Sequence, residues 1–279
     1  MRQSQIPYPI DSKEKTVDYR GGNIVNILVI HSHNANRGDE AAVKAMVDEL
    51  LIKYPGATIT ISNNGFSPYP GMPENVIQID RFPKLESRMA QLEFFIVLLF
   101  KGKFAFTKEA RKFIRALKEA DVVLHAPGGP SIGDTYFKAE KLYLWRLNLI
   151  RRMGIPYIFY APSMGPFNCT SRNKLRKEVI SGAERIVLRD PISVKYVKDF
   201  LPGVEVEQAL DSALQHDIDI DKNERKYNNY PELKNFIENH EKCIGITITD
   251  LKWHPVHKNE KIIEQIPTAF QAGITQKVK

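Results

Sequence analysis

Cysteine is scarce in this sequence, and long apolar stretches are missing from it. Only Cys169 and Cys243 are present, in unrelated contexts, which excludes a scaffold of disulfides. No CxxC or Cys/His pattern indicates structural zinc, so we predict no metal site. The longest apolar run, residues 94–100, has seven residues, whereas a helix that crosses a bilayer needs about 20. The first residues also lack the apolar core of a signal peptide, so we expect a cytoplasmic location.

The composition is typical of a soluble globular protein. Apolar residues make up 43% of the chain and charged residues 26%, which excludes disorder, collagen and coiled coil as descriptions of the whole. A length of 279 residues is sufficient for two ordinary domains.

The positive charge is concentrated in one segment. The chain has a net charge of +7, and residues 81–118 alone carry ten Lys and Arg against three Glu. The same segment contains the apolar run 94–100 together with Phe104 and Phe106. Two interpretations stay open: contact with an anionic membrane or a lipid-linked acceptor, or a buried apolar helix followed by a solvated basic one. No nucleic-acid-binding motif is present, so we predict no nucleic-acid partner.

Strand and helix patterns alternate from residue 25 to residue 215. Thr107 is a candidate N-cap for a helix whose buried face carries Ala110, Phe113, Ile114 and Leu117. The predicted strands lie at 26–31, 58–62, 75–79, 121–126, 157–161, 185–188 and 204–207. Strands joined by single helices require right-handed crossovers. We therefore predict an α/β fold with a doubly wound, mainly parallel sheet of the Rossmann-like type.

The remaining parts of the chain differ from this domain. Residues 1–24 are predicted to form a polar N-terminal extension, and residues 216–241 are polar and typical of a linker. Residues 242–279 contain one strand pattern, at 243–249, and one helix pattern, at 260–272. One strand and one helix cannot bury a core of their own, so we expect the beginning of a truncated second domain there.

The loops after the predicted strands carry the candidate functional residues, because ligands of such sheets bind beyond the carboxyl ends of the strands. Gly38 permits a tight turn, and Asn36 and Asp39 either bind a ligand at a helix N-terminus or cap that helix. Gly128 and Gly129 allow a close approach of the backbone to a ligand.

The side chains of the second glycine-rich loop suit hydroxyl chemistry. Ser131 and Asp134 can bond to hydroxyls or accept a proton, although a simple tight turn is the alternative. Pro130 interrupts the loop, so it is not the glycine pattern that binds dinucleotides.

Two further loops offer polar side chains at the same sheet edge. Ser163 lacks the sequence context of a serine nucleophile and is interpreted as a hydrogen-bonding group near a ligand. Arg189 suits bidentate binding of phosphate or carboxylate, the alternative being a surface ion pair with Asp190. Asp190 is also a candidate N-cap, and Asp211 can reach the same rim. Together the loops indicate a small anionic substrate and a hydroxyl-rich one.

Five loop motifs, taken in order, resemble those of polysaccharide pyruvyl transferases. They are Asn36-Arg-Gly-Asp-Glu-Ala41, Gly128-Gly-Pro-Ser131, Ser163-Met-Gly-Pro166, Arg189-Asp-Pro-Ile-Ser193 and Asp211-Ser-Ala213. The strand pattern from Ile244 to Thr249 is similar to the first strand of that family's second domain. One departure is Pro130, which stands where the family usually has a third glycine.

The resemblance implies a two-domain fold similar to GT-B glycosyltransferases, of which this chain holds the first half. It implies transfer of the pyruvyl group of phosphoenolpyruvate to two hydroxyls of one sugar of a cell-surface polysaccharide or its lipid-linked precursor. The product is a cyclic ketal, and no cofactor is required besides the donor. The implied partners are therefore a small-molecule donor and a saccharide acceptor.

The resemblance also suggests roles for individual residues. Arg189 is implied in donor binding, and Asp39, Glu40 and Asp134 are implied in proton transfer to or from the reactants. The other substrate-binding residues implied by the motifs are Asn36, Gly38, Gly128, Gly129, Ser131, Ser163, Gly165, Ser193 and Asp211. The family's essential histidine belongs to its second domain, and neither His254 nor His257 can be aligned with it.

Two other functions remain open from the sequence. A GT-B glycosyltransferase that uses a nucleotide sugar shares the predicted fold class. A non-catalytic, partner-binding remnant is the other alternative, because the second domain is predicted to be truncated.

Overall fold

The computed structural model describes residues 25–34, 36–64, 67–83, 88–215 and 220–243. The strands in these ranges are β1 (Asn26–Ser32), β2 (Thr58–Asn63), β3 (Val76–Asp80), β4 (Val122–His125), β5 (Gly128–Ile132), β6 (Tyr157–Tyr160), β7 (Pro162–Met164), β8 (Arg185–Leu188) and β9 (Glu207–Gln208). The helices are α1 (Arg37–Lys53), α2 (Arg88–Leu99), α3 (Lys108–Glu119), α4 (Phe137–Met153), α5 (Asn173–Ser181), α6 (Pro191–Phe200), α7 (Ile220–Asn228) and α8 (Pro231–Glu238). Short 3₁₀ helices lie at Thr170–Arg172 and Ser212–Gln215.

Seven strands form one parallel sheet in the order β3-β2-β1-β4-β6-β8-β9. The predicted α/β, doubly wound fold with a mainly parallel sheet is therefore confirmed. The chain winds outward in one direction from β1 through β2 to β3, and in the other direction from β4 to β9. The strand order thus reverses between β1 and β4, which is where sheets of this kind form a ligand crevice.

Helices cover both faces of the sheet because alternate residues of each strand point to opposite sides. In β1, Ile27 and Val29 pack in the cluster that contains Val43 and Met46 of α1. The intervening Leu28 and Ile30 pack in the cluster formed with helices α2 to α6. The central strand is therefore buried on both sides, as its unbroken apolar sequence predicts.

Local sequence signals set the helix boundaries. The Thr107 hydroxyl accepts a hydrogen bond from the Ala110 N–H at 3.2 Å and begins α3, whose four predicted apolar residues are all buried. Asp190 caps α6 with Pro191 at its first turn, as predicted. Gly154, with φ of 75°, ends α4 in the left-handed conformation that glycine adopts without strain.

Three regions differ from the sequence expectations. The last strand, β9, is confined to 207–208 instead of 204–207. Two helices, α7 and α8, lie within the predicted linker, and α8 begins with Pro231 at a position that favours helix starts. The segment 94–100 is only partly the buried helix considered above, since Phe94 and Val97 are buried while other apolar side chains of α2 are exposed.

The boundaries proposed for the four parts of the chain stay predictions. The polar extension at 1–24 and the patterns at 243–249 and 260–272 lie wholly or mostly outside the described residues. Among the described helices, none is long and apolar enough to cross a membrane.

Candidate functional site

A second, two-stranded parallel sheet lies at the carboxyl edge of the main sheet. Its strands are β5 and β7, which follow β4 and β6 directly and pair through Gly128 with Pro162 and Ile132 with Met164. The two loops that the sequence predicts to bind a ligand are therefore paired with each other. Sequence analysis missed this sheet because glycine and proline are rare inside strands.

Two glycines permit these loops to approach each other closely. A Cβ atom at Gly133, which has φ of 140°, would lie 2.6 Å from the carbonyl oxygen of Gly165. A Cβ atom at Gly165, which has φ of 86°, would lie 2.6 Å from the Tyr196 ring. Both positions combine a positive φ with a contact that no larger residue can make.

The Gly133→Ala variant is expected to lose at least about 2 kcal/mol of unfolding free energy, because it adds backbone strain and a clash with main-chain atoms. Urea denaturation measures this loss. Gly56→Ala is the matched control, since no atom lies within 4 Å of its added methyl group. Equal stability of the two variants would show that the contact between the loops is not tight.

Arg189 extends from the end of β8 and is fixed by two other loops. Its Nε donates to Ser163 Oγ at 3.0 Å, and its Nη1 donates to Asp211 Oδ2 at 2.6 Å. Within the described part of the chain, its Nη2 has no hydrogen-bond partner. The Arg189 side chain is about three-quarters buried, with 24% of it exposed. It is thus oriented, and the described residues leave one of its nitrogens available to donate to a ligand.

The surface ion pair between Arg189 and Asp190 is not what the structure shows. Asp190 Oδ1 accepts the Ser193 N–H at 2.7 Å, and its Oδ2 accepts the hydroxyls of Ser163 and Ser193 at 2.9 and 2.8 Å. Burial works against ionisation, but these hydrogen bonds and the nearby charge of Arg189 leave the pKa of Asp190 lowered. Asp190 therefore orients Ser163, and through it Arg189.

Asp211 is positioned by the 3₁₀ helix that follows it. The buried Ser212 hydroxyl donates to the carbonyl of Ala42 in α1 at 2.9 Å. Asp211 Oδ1 accepts the Ala213 N–H at 3.0 Å, which turns its other oxygen toward Arg189. The motif at 211–213 thus joins the end of the domain to α1.

These residues surround a cavity of about 630 Å³. It is lined by Pro130, Thr135, Ser163, Met164, Gly165, Pro166, Arg189, Asp190, Ile192, Ser193, Tyr196 and Asp211. Five of the residues predicted from sequence therefore come together: Ser163, Gly165, Arg189, Ser193 and Asp211. Tyr196 was not predicted, since nothing in a lone aromatic residue on a helix indicates a binding role.

Asp39 belongs to the same electrostatic cluster, although it does not line the cavity. Its Oδ1 would be only 3.1 Å from a Cβ atom at Gly128, so the carboxylate, in the first turn of α1, packs on that glycine of β5. Burial raises the pKa of Asp39, and the charge of Asp211 adds to this effect, whereas His33 and Arg189 oppose it. A raised pKa brings this carboxyl closer to the range useful for proton transfer.

The other residues of the first loop are engaged locally. Asn36 Oδ1 accepts the Gly38 N–H at 2.8 Å and caps α1, so the capping interpretation of Asn36 is confirmed. Glu40 pairs at 2.6 Å with Arg37, whose side chain is 88% exposed. Gly129 lies in β5, and a Cβ atom added to it would lie 3.7 Å from the ring of Tyr136.

Asp134 lies in a buried ionic network with Arg176 and Glu140. Its Oδ1 accepts from Arg176 Nη2 at 2.7 Å, and its Oδ2 accepts the N–H groups of Asn168 and Cys169 at 2.7 and 3.0 Å. Burial disfavours its charge, but these donors leave the pKa of Asp134 lowered. Its carboxylate therefore joins two loops, and the role of Asp134 in proton transfer stays a prediction.

Glu140 and Arg176 complete the network, and both side chains are fully buried. Glu140 accepts from Arg176 Nε at 2.7 Å and from the Gly133 N–H at 2.8 Å. Neither residue was found from the sequence, because 36 positions separate them and each lies on an ordinary amphipathic helix.

Ser131 pairs with a histidine that the sequence did not reveal. His125 Nδ1 donates to the carbonyl of Ala126 at 2.8 Å, so its Nε2 accepts the Ser131 hydroxyl at 2.7 Å. Burial lowers the pKa of His125 to about 4, which keeps the imidazole neutral. The ring of His31, in β1, contacts the ring of His125 at 4.6 Å. The Ser131 oxygen is thereby fixed as a hydrogen-bond acceptor toward any ligand.

The family model for polysaccharide pyruvyl transferases matches residues 36–269, a range that contains all five loop motifs. None of the curated proteins matches the sequence. One solved structure to which the chain is similar is described as "Molecular Engineering of Organophosphate Hydrolysis Activity from a Weak Promiscuous Lactonase Template". The two chains are 13% identical, and their alignment covers 91% of each chain with a TM-score of 0.29.

Proposed function

This chain belongs to the polysaccharide pyruvyl transferase family, and on that premise we propose that it takes part in moving a pyruvyl group from phosphoenolpyruvate to a sugar. The acceptor is a residue of a cell-surface polysaccharide or of its lipid-linked precursor. The observation that carries the proposal is the guanidinium of Arg189, which belongs to a residue lining the cavity, is fixed by Ser163 and Asp211, and has no hydrogen-bond partner at Nη2 among the described residues.

Arg189 recognises the carboxylate of the donor. A planar guanidinium that is already oriented loses little freedom when it binds a carboxylate, and the partial burial of the site strengthens the charge-assisted bond. Ser163 and Asp211 hold the group in place and therefore act as positioning residues in this proposal.

The rest of the cavity suits a hydroxyl-rich acceptor. The carboxylates of Asp190 and Asp211 line the cavity and can accept hydrogen bonds from sugar hydroxyls. Tyr196 adds an aromatic surface beside Gly165. This set carries more negative than positive charge, so the donor phosphate needs further cations, and we propose that residues outside the described ranges supply them.

The reaction requires two proton transfers. One sugar hydroxyl adds through its oxygen to C2 of phosphoenolpyruvate, and C3 gains a proton to become the methyl group of the product. The second hydroxyl then bonds to the same C2 as the C–O bond to phosphate breaks. Of the two hydroxyl protons, one balances the proton gained at C3 and the other leaves with phosphate.

Asp39 is the residue best suited to these transfers. Its pKa is raised by burial, it lies in the first turn of α1 against Gly128, and it interacts electrostatically with Arg189 and Asp211, which line the cavity. We assign to it the removal of a proton from the acceptor hydroxyl. Asp134, held by Arg176, takes a positioning role instead, and Glu40 pairs with Arg37 outside the cavity.

The Arg189→Ala variant tests the donor site. Calorimetric titration with phosphoenolpyruvate is expected to show binding by the wild-type protein and a loss of about 100-fold or more in the variant, because a charged hydrogen-bond donor is removed. Arg185→Ala is the matched control: it removes an arginine that pairs with Glu207 at the other end of the same strand.

Equal binding by both arginine variants would refute the assignment of Arg189. Thermal stabilisation by UDP- or GDP-sugars, with none by phosphoenolpyruvate, would refute pyruvyl transfer and favour a glycosyltransferase.

A further inference from the structure

Helix α2 presents an apolar face that the described part of the chain leaves exposed. Met89, Leu92, Phe95 and Leu99 repeat at helical spacing, and their side chains are 72%, 53%, 48% and 65% exposed. The opposite face of the same helix packs in the core through Phe94 and Val97. An exposed apolar stripe of this length on an otherwise folded helix is typical of an interaction surface.

The loop after α2 extends this face. Phe100, Phe104 and Phe106 are 43%, 48% and 59% exposed, and the rings of Phe100 and Phe104 are in contact with centroids 5.0 Å apart. The loop is held by the buried carboxylate of Glu93, which accepts the N–H groups of Phe106 and Thr107 at 2.8 and 2.7 Å. These hydrogen bonds fix the backbone of the loop while its aromatic side chains are exposed.

Exposed basic side chains follow the apolar ones along the chain. Lys101 and Lys103 lie between the phenylalanines, and α3 carries further exposed cations. These are Lys108, Arg111, Lys112, Arg115 and Lys118. Glu109 in the first turn of α3, and Glu119, which is bonded to Arg115 at 2.8 Å, offset two of these charges.

We propose that this α2–α3 surface, residues 88–118, docks onto an anionic lipid bilayer. Exposed phenylalanine and leucine side chains that alternate with lysines match the boundary between acyl chains and negatively charged headgroups. Each lysine near such a surface adds electrostatic attraction to the anionic headgroups. The apolar side chains add a hydrophobic contribution, which a zwitterionic bilayer also provides. A protein partner would need a matched acidic and apolar face, whereas a bilayer supplies both without shape complementarity.

The proposal goes beyond pyruvyl transfer and does not depend on it. The α2–α3 surface shares no residue with the cavity at Arg189. Binding to lipid can therefore be measured on the protein without donor or acceptor, and its failure leaves the proposed reaction untouched.

Vesicle flotation is the test, with phosphatidylcholine alone and with phosphatidylcholine that contains phosphatidylglycerol. We expect the wild-type protein to float with the anionic vesicles at low salt, to be released at high salt and to bind weakly to phosphatidylcholine. Replacing Lys101, Lys103 and Lys108 with Gln is expected to weaken binding to anionic vesicles by about 100-fold. The matched control replaces Lys53, Lys198 and Lys242, which are exposed elsewhere.

The apolar contribution is tested separately. Met89→Glu combined with Leu99→Glu is expected to lower binding by about tenfold or more, because neither charged side chain can enter the acyl region. Ile52→Glu combined with Ile220→Glu is the control, since both isoleucines are 73% exposed. Circular dichroism confirms that each variant folds.

Three results would overturn the proposal. The first is no flotation of the wild-type protein with anionic vesicles at low salt. The second is equal weakening by the α2–α3 variants and by their controls. The third is a dimer in light scattering that Met89→Glu/Leu99→Glu dissociates, which would show that a second copy of the chain covers this surface.

Discussion

Replacing Asp39 with Asn is expected to lower the rate of pyruvyl transfer by about 10²–10⁴-fold, the usual contribution of a general acid or base. Asparagine keeps the shape of the side chain but cannot accept the proton of the acceptor hydroxyl. The measurement is phosphate release from phosphoenolpyruvate in the presence of acceptor, followed over a range of pH. The wild-type rate should rise with pH through the pKa of Asp39, and the variant should lack this rise.

Asp48→Asn on the same helix is the matched control and is expected to change the rate little. A normal rate in Asp39→Asn would exclude Asp39 from proton transfer. If Asp39→Asn binds phosphoenolpyruvate as the wild-type protein does but turns it over much more slowly, Asp39 acts in the chemical step.

The same substitution is expected to stabilise the fold at neutral pH. Because burial raises the pKa of Asp39, its contribution to the unfolding free energy is fully present below the unfolded-state pKa of about 4. That contribution is lost as the pH rises through the higher pKa of the folded protein. Asparagine does not titrate, so the Tm of the variant should exceed that of the wild-type protein at pH 7, by a margin that shrinks toward pH 4.

The Glu140→Ala variant is expected to lose about 3–5 kcal/mol of unfolding free energy, because it leaves the buried guanidinium of Arg176 without its main partner. The Gly133 N–H and the Arg172 side chain also lose an acceptor. For a domain of this size the Tm should fall by about 10 °C. Scanning calorimetry measures both quantities.

Glu178→Ala provides the comparison. Glu178 pairs with Arg151 at 2.7 Å, but both side chains are more than a third exposed, so its removal is expected to cost less than about 1 kcal/mol. If the two variants proved equally stable, the network around Glu140 would not be a significant source of stability. Glu140→Gln, which keeps an acceptor for Gly133, should fall between wild type and Glu140→Ala.

Much of the fold could be predicted because its signals are local. The spacing of Ala110, Phe113, Ile114 and Leu117 determines which face of α3 is buried, and Asp190 followed by Pro191 marks the start of α6. Six of the seven predicted strands lie within about one residue of their positions in the sheet. The loops that follow the strands could be placed at one edge of the sheet because the carboxyl ends of parallel strands lie at the same edge.

The rest depended on contacts between distant residues. The pairing of β5 with β7 and the bonds from Arg176 to Glu140 and Asp134 join positions far apart in the chain. Sequence spacing carries no sign of such pairs. It also could not distinguish Asp39, whose pKa is raised, from Asp134, whose pKa is lowered, because burial and neighbouring charge arise only on folding.

The position of β1 at the centre of the sheet affects how the protein is made. One edge of β1 pairs with β2, which is synthesised soon after it, and the other edge pairs with β4. The residues that join β1 to the start of β4, Asn26 and Asp121, are 95 positions apart in the chain. At about 5–20 residues per second, the ribosome needs on the order of ten seconds to add that length. Throughout this time an apolar strand edge stays open to pairing with other chains. Expression at lower temperature, or with holding chaperones, is therefore expected to raise the soluble yield more than changes at the surface of the finished protein.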